Sequence, residues 1–235
     1  MHYSTLLIDL DHTLFDSDAS ETAALRQAMA VADIADPETH AADFRRINLE
    51  LWARVERGEM TPQQVRIRRF ERLVEETRLD ADPFAMSDAY VVGLGASGEL
   101  YDGAREVLES LRRHASLALL TNGLSEVQRA RIKRTAIGEY FDAIIISAEV
   151  GASKPAARIF DIAFGKLGSP GKDTALMVGD NLVSDIGGGA NYGIATCWYN
   201  PRQLQAGPDH RVHHEIASLG ELSKFVGRKT AVVSK

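Results

Sequence analysis

Short, nearly continuous apolar runs recur along the chain, and each one ends in polar or acidic residues. They are Ser4–Leu10, Ser116–Thr121, Ala143–Ser147 and Thr174–Gly179, with a weaker fifth run at Ile194–Trp198. Unbroken apolar character is typical of strands that are buried on both faces of a parallel sheet. Because parallel strands need long crossover connections, this feature predicts an α/β fold.

Helical patterns lie between these runs. Apolar residues recur at helical spacing in Asp102–His114, Ser125–Ile137 and Ala156–Leu167. Ser125 and Gln128 have the spacing of a capping box, which satisfies free backbone N–H groups at the start of a helix. Strands that alternate with helices predict a doubly wound, Rossmann-like parallel sheet.

The region from residue 15 to residue 98 breaks the alternation. Amphipathic helices are predicted there at Ser20–Val31, Thr39–Arg57, Pro62–Leu79 and Pro83–Leu94. We therefore predict a core domain of residues 1–14 and 99–235 and an inserted helical cap of residues 15–98. Residues 227–235 are predicted to form a frayed tail.

Charge and composition narrow the class of partner. The formal net charge is −6, which gives no electrostatic reason to expect a nucleic-acid polymer or a membrane as partner. Cys197 is the single cysteine and fits a reducing compartment. Asp9 and Asp11 interrupt the N-terminal apolar stretch before it could act as a signal peptide. These features predict a cytoplasmic protein. They leave open whether it is a monomer or a small homo-oligomer.

Reactive side chains follow the predicted strands. In an open α/β sheet, ligands bind beyond the carboxyl ends of the strands, so residues at these ends are expected to meet at one site. The residues in question are, in chain order, Asp9, Asp11, Thr121, Asn122, Gly123, Lys154, Asp180 and Asp185. Any one of them has an ordinary structural role, but their recurrence at successive strand ends indicates a common site.

The predicted cluster suits phosphoryl chemistry. Carboxylates at Asp9, Asp11 and Asp180 would be costly together without a cation, and hard oxygen ligands favour Mg²⁺. Lys154 and the Thr121 hydroxyl would contact phosphoryl oxygens. Backbone N–H groups of Asn122 and Gly123 are further candidate anion donors. A small phosphate monoester is therefore the expected substrate.

These motifs resemble the haloacid dehalogenase (HAD) superfamily. Its D-x-D-x-T opening, second-motif Thr, third-motif Lys and G-D-x-x-x-x-D motif match Asp9-Leu10-Asp11-His12-Thr13, Thr121, Lys154 and Gly179-Asp180 with Asp185. The resemblance implies that Asp9 is the nucleophile and a metal ligand. It implies that Asp11 is the general acid/base and binds the metal through its backbone carbonyl, and that Asp180 and Asp185 support Mg²⁺.

The predicted cap is similar to that of bacterial nucleotidases active on pyrimidine nucleoside monophosphates. The similarity lies in Asn48–Trp52, in the segments around Arg57 and Arg69, and in Cys197–Pro201 after the last core run. It implies that Trp52 stacks on a base and that Asn48 hydrogen-bonds to it. The structural alternative is that Trp52 packs between cap helices and Asn48 satisfies a backbone group.

Two other functions compete with a phosphatase. The first is a dehalogenase that attacks carbon, which in this superfamily needs no metal and usually lacks an acid two residues after the nucleophile. The presence of Asp11 argues against it, because a leaving alkoxide needs a proton. The second is a non-catalytic phosphoryl-binding protein, which the presence of both Asp9 and Asp180 disfavours.

Overall fold

A computed structural model describes residues 2–34, 36–208 and 210–227. The predicted frayed tail lies outside the described residues apart from Gly227. The strands are β1 (Thr5–Ile8), β2 (Ser116–Thr121), β3 (Ala143–Ile146), β4 (Ala175–Gly179), β5 (Ala195–Tyr199) and β6 (His214–Ile216). The α-helices are α1 (Ser17–Val31), α2 (Ala41–Glu56), α3 (Pro62–Thr77), α4 (Pro83–Ala96), α5 (Ala104–Leu111), α6 (Ser125–Thr135), α7 (Ser147–Val150), α8 (Ala157–Lys166) and α9 (Gly188–Tyr192). Short 3₁₀ segments lie at Pro37–His40, Ile137–Tyr140, Lys172–Thr174 and Leu219–Phe225, and a π-helical turn at Leu182–Gly187.

The strands form one parallel six-stranded sheet in the order β3-β2-β1-β4-β5-β6. Thr5 pairs with Ser116 on one side and with Ala175 on the other, so β1 lies in the middle of the sheet between β2 and β4. All four residues of β1 are buried, so its unbroken apolar run matches a strand covered on both faces. The predicted α/β fold is confirmed.

The observed elements differ from the predicted ones in where helices begin and in an additional strand at one edge of the sheet. Helix α1 begins at Ser17 because the Asp16 side chain caps it by accepting from the Ala19 N–H. The sequence prediction missed β6, whose three residues include His214 and Glu215. An edge strand this short and polar has no apolar signature.

The predicted capping box at Ser125 and Gln128 is wrong. Leu124 is the N-cap of α6 and makes no side-chain cap hydrogen bond. The Ser125 hydroxyl donates to Glu149 Oε1 at 2.6 Å, and the Gln128 amide turns toward the strand ends. A carboxylate is a stronger acceptor than a neutral group, so both side chains donate to carboxylates instead of accepting from the backbone N–H groups that a capping box satisfies.

Helices α1–α4 form a helical layer with its own apolar cluster. Phe44, Phe70 and Tyr90 pack at its centre with ring centroids 5.0–5.4 Å apart. Leu124 and Val127 of α6 join this cluster, so the layer rests on the helix that follows β2. The layer therefore covers the edge of the sheet where the reactive residues lie. Within the described ranges, no helix is both long enough and apolar enough to cross a membrane.

Candidate active site

The carboxyl ends of β1, β2 and β4 open into a cavity of about 530 Å³ beneath the helical layer. Asp9 and Asp180 line it from the sheet, immediately after β1 and β4. Lys154 lines it from the loop between α7 and α8. The strand ends therefore converge as the sequence predicts, in the crevice where α/β sheets bind ligands.

Three carboxylates meet at one point of this cavity. Asp9, Asp180 and Asp185 each offer an oxygen within 4.8 Å of the others. Burial raises the pKa of Asp9 well above its ordinary value, and Asp185 and Asp180 add to that rise. Burial together with Asp185 raises the pKa of Asp180 to about 7. This crowding of negative charge among oxygen donors fits a hard divalent cation such as Mg²⁺.

Lys154 supplies positive charge inside the cluster. Its Nζ lies 2.5 Å from Asp9 Oδ1 and 2.7 Å from Asp185 Oδ1, and the side chain is fully buried. The loop is held by Asn122, whose Nδ2 donates to the Lys154 carbonyl and whose Oδ1 accepts from the Lys154 N–H, both at 2.9 Å. Asn122 thus positions Lys154 through the backbone.

Backbone and hydroxyl groups orient the two acids after β4. Thr13 Oγ1 lies 3.3 Å from Asp180 Oδ1 and accepts from the Asp180 N–H at 3.1 Å. Asp185 Oδ2 accepts from the Asn181 N–H at 3.1 Å. A Cβ at Gly179 would lie 2.1 Å from Asp185 Oδ2, so only glycine leaves room for this carboxylate.

Asp11 is held by partners that the sequence did not reveal. Ser17 Oγ donates to its Oδ1 at 2.5 Å, Gln128 Nε2 donates to its Oδ2 at 2.6 Å, and Arg131 forms an ion pair with it. Burial alone would raise the pKa of Asp11, but Arg131 and the two hydrogen bonds outweigh burial and lower it. Arg131, Ser17 and Gln128 thus stabilise the charged form of Asp11.

The other residues predicted to contact the phosphoryl group, Thr121 and Gly123, lie near the cavity and already have hydrogen-bond partners within the protein. Thr121 is fully buried, and its Oγ1 accepts from Gln128 Nε2 at 2.8 Å. Gly123 lines the cavity, while its N–H donates to Ser147 Oγ at 3.0 Å. In this conformation, a phosphoryl group would have to compete with Ser147 for that N–H.

The helical layer supplies the opposite wall of the cavity. Asn48 and Trp52 both line it, Asn48 buried and Trp52 partly buried against the apolar cluster of the layer. Asn48 Oδ1 accepts from Arg69 Nη1 at 3.2 Å. Glu56 Oε1 accepts from Asn181 Nδ2 at 2.8 Å, which joins the layer to the loop that carries Asp180. The wall that faces the predicted phosphoryl site thus combines polar side chains with the aromatic ring of Trp52 and the aliphatic side chains of Leu49 and Leu94.

Curated relatives span nearly the whole chain. Pyrimidine 5'-nucleotidase YjjG of Escherichia coli is 32% identical over 96% of this chain and 99% of its own length. Pyrimidine 5'-nucleotidase PynA of Streptococcus pneumoniae is 33% identical over 94% of each chain.

A solved structure with the same fold is that of the HAD-hydrolase YfnB from Bacillus subtilis bound to magnesium. It superposes with a TM-score of 0.87 at 32% identity and covers 95% of this chain and 98% of its own. The haloacid dehalogenase-like hydrolase family model matches residues 3–193. The chain therefore belongs to the haloacid dehalogenase-like hydrolases.

Proposed function

We propose that this enzyme is a magnesium-dependent phosphatase that hydrolyses a small phosphate monoester through a phospho-aspartate at Asp9. The observation that carries the proposal is the approach of Asp9, Asp180 and Asp185 to within 4.8 Å at a cavity floor. The three carboxylates and the Asp11 backbone carbonyl would hold Mg²⁺. The ion would neutralise charge on the phosphoryl oxygens.

Asp9 and Asp11 divide the chemistry between them. Asp9 Oδ1 is paired with Lys154, whereas Oδ2 makes no hydrogen bond to any described residue. In the first step an Asp9 oxygen bonds to phosphorus as the bond to the leaving oxygen breaks. Asp11, which takes up a proton from solvent when the substrate binds, gives that proton to the leaving oxygen. In the second step Asp11 takes a proton from water as the water oxygen attacks phosphorus, which frees Asp9 and inorganic phosphate.

The leaving group is proposed to be a pyrimidine nucleoside. Two relatives that span the chain are named pyrimidine 5'-nucleotidases. Trp52 offers an aromatic face and Asn48 an amide on the cavity wall opposite Asp9. Residues 15–98 are proposed to act as a cap that covers the site, and the Glu56–Asn181 hydrogen bond is a contact through which such a cap would reach the metal loop.

The competing functions are less well supported. Haloacid dehalogenase from Xanthobacter autotrophicus shares the fold with a TM-score of 0.77 but only 18% identity, so this likeness speaks for the fold alone. Asp11 supplies the proton that a leaving alkoxide needs. A non-catalytic binding protein has no use for a nucleophile held beside a buried ammonium. Location in the cytoplasm and the oligomeric state remain predictions.

The test is a panel of phosphate monoesters that includes UMP, dTMP and ribose 5-phosphate, assayed with Mg²⁺ and with a chelator. We expect phosphate release with Mg²⁺, loss of activity in the chelator, and recovery when Mg²⁺ returns. Full turnover in the chelator would support the dehalogenase alternative. Release of halide from a 2-haloacid in the chelator would support it as well.

A further inference from the structure

Arg69 of α3 is a buried cation with unsatisfied donors. Only 2% of the residue is exposed, and it lines the cavity. Its Nε and Nη2 have no hydrogen-bond partner among the described residues, and Nη1 donates only to the amide oxygen of Asn48. The guanidinium carbon lies 4.3 Å from the ring centroid of Tyr90. An aromatic face attracts the cation, yet it does not satisfy the in-plane N–H groups.

Glu21 of α1 lines the same cavity but forms no ion pair with Arg69. Within the described part of the chain, Glu21 forms no ion pair within 4.0 Å and no side-chain hydrogen bond. Buried donors without a partner cost free energy, so Arg69 suits a ligand that accepts from it. Glu21 is partly exposed and offers carboxylate oxygens to the same ligand. The chain therefore presents a donor group and an acceptor group on one wall of the substrate cavity.

We propose that Arg69 and Glu21 bind the carbonyl–imino edge of a uracil-type base, with Arg69 donating to O4 and Glu21 accepting from N3–H. This inference rests on the proposed phosphatase site, because that site sets the position of the ligand. With the phosphoryl group at Asp9, the base reaches the helical layer by the ring edge opposite its bond to the sugar. In uracil that edge carries O4 and N3–H.

A substrate with a second anionic group at Arg69 fits this wall less well than a substrate with a neutral base. Phosphate or carboxylate could satisfy Arg69, and Arg45 lines the cavity too, but the carboxylates of Asp18 and Glu21 oppose the binding of an anion there. A neutral carbonyl next to an N–H satisfies both Arg69 and Glu21 without added charge. Arg69 and Glu21 are thus specificity residues, because neither takes part in the transfer of phosphorus.

The first test uses the native enzyme, so that no variant has to fold. We compare kcat/KM for UMP with that for the pyrimidin-2-one ribonucleoside 5'-monophosphate. This analogue differs from UMP only in that it lacks O4 and the hydrogen on N3. We expect UMP to be preferred by at least about tenfold, because the analogue loses both proposed hydrogen bonds and the loss of a single bond to a charged group already has that effect. Equal kcat/KM values would overturn the assignment.

The second test uses Arg69→Gln with Arg68→Gln as the matched control. Arg68 precedes it on α3, carries the same charge and is exposed in an ion pair with Glu71. Arg69→Gln should reduce kcat/KM for UMP about tenfold or more and leave ribose 5-phosphate within about twofold. It should reduce the preference for UMP over the pyrimidin-2-one nucleotide by a similar factor, because the contact of Glu21 with N3–H remains. Arg68→Gln should match the native enzyme.

The outcomes separate this inference from the function on which it rests. If the native enzyme prefers ribose 5-phosphate to UMP, the nucleotidase proposal itself is wrong. If it prefers UMP and Arg69→Gln keeps that preference, only the role of Arg69 is wrong. If Arg69→Gln loses activity on a sugar bisphosphate but not on UMP, Arg69 is an anion site and the base assignment is overturned.

Discussion

Lys154 Nζ and Asp9 Oδ1 lie 2.5 Å apart at the floor of the cavity, and the same Nζ lies 2.7 Å from Asp185. The ammonium thus orients the proposed nucleophile and offsets the crowding of the carboxylates. It pairs with one Asp9 oxygen only, which leaves the other to approach phosphorus. Lys154 therefore has a structural role before any substrate binds.

Replacement of this lysine should destabilise the fold as well as stop catalysis. Lys154→Met leaves buried carboxylates without their cation, and loss of one partner of a buried ion pair costs about 3–5 kcal/mol. We expect the free energy of unfolding in urea to fall by that amount, with Mg²⁺ restoring part of it. Lys166→Met, at an exposed position of α8, is the control and should unfold like the native protein. An unchanged unfolding midpoint for Lys154→Met would show that the ion pairs contribute little.

Asp9→Asn should abolish turnover while the protein stays folded. The amide keeps the shape of the side chain but is not a nucleophile, so kcat should drop by at least about a thousandfold. Acid quenching of the native enzyme with a ³²P-labelled monoester should trap labelled protein, and Asp9→Asn should give none. Labelling of the variant at the native level would place the phosphoenzyme on another residue.

Asp180→Asn should weaken the metal site rather than remove the nucleophile. The change deletes one negative charge from a cluster within 4.8 Å, so the Mg²⁺ concentration for half-maximal activity should rise about tenfold or more. Saturating Mg²⁺ should then recover part of the activity. Asp173→Asn removes an exposed carboxylate before β4 and should leave the Mg²⁺ titration unchanged. Identical titrations for both variants would exclude Asp180 as a ligand.

The sequence was sufficient to predict the residues at the strand ends. Asp9 and Asp180 each follow a buried run, and parallel topology places the carboxyl ends of such runs along one edge of the sheet. The prediction that these residues share one edge needs only the alternation of strands and helices, because that alternation makes the strands parallel.

The partners of those residues could not be predicted in the same way. Arg131 contacts Asp11 across 120 positions of the chain, and no local pattern marks that contact. Gln128 has capping-box spacing, yet its Nε2 donates to Asp11 and its side chain does not cap α6. Glu21 and Arg69 converge on the cavity only because helices of the layer pack together. Contacts between elements depend on packing geometry, which periodicity does not encode.

Asp11→Asn should be more harmful for poor leaving groups than for good ones. The asparagine cannot donate a carboxyl proton, and an alkoxide needs that proton more than an aryloxide does. We expect kcat/KM for a nucleotide to fall at least about tenfold further than kcat/KM for 4-nitrophenyl phosphate. The control is Asp16→Asn, at the N-cap of α1. Its effect on kcat/KM should be the same for both substrates. Equal losses on both substrates would contradict the role of Asp11 as the general acid.

Trp52→Ala should reduce the preference for nucleotides without affecting phosphoryl transfer. Asp9 and the metal contact only the phosphoryl group that all candidate substrates share, so discrimination must arise at the opposite wall, where Trp52 lies. Stacking of a base on an aromatic side chain contributes about 1–3 kcal/mol, which is roughly ten- to hundredfold in kcat/KM. We expect that loss for UMP or dTMP and little change for ribose 5-phosphate. Phe84→Ala removes an exposed aromatic ring of α4 that does not line the cavity, and should preserve the preference. If Trp52→Ala also preserves it, Trp52 serves to pack the helical layer, and the base is held by polar contacts alone.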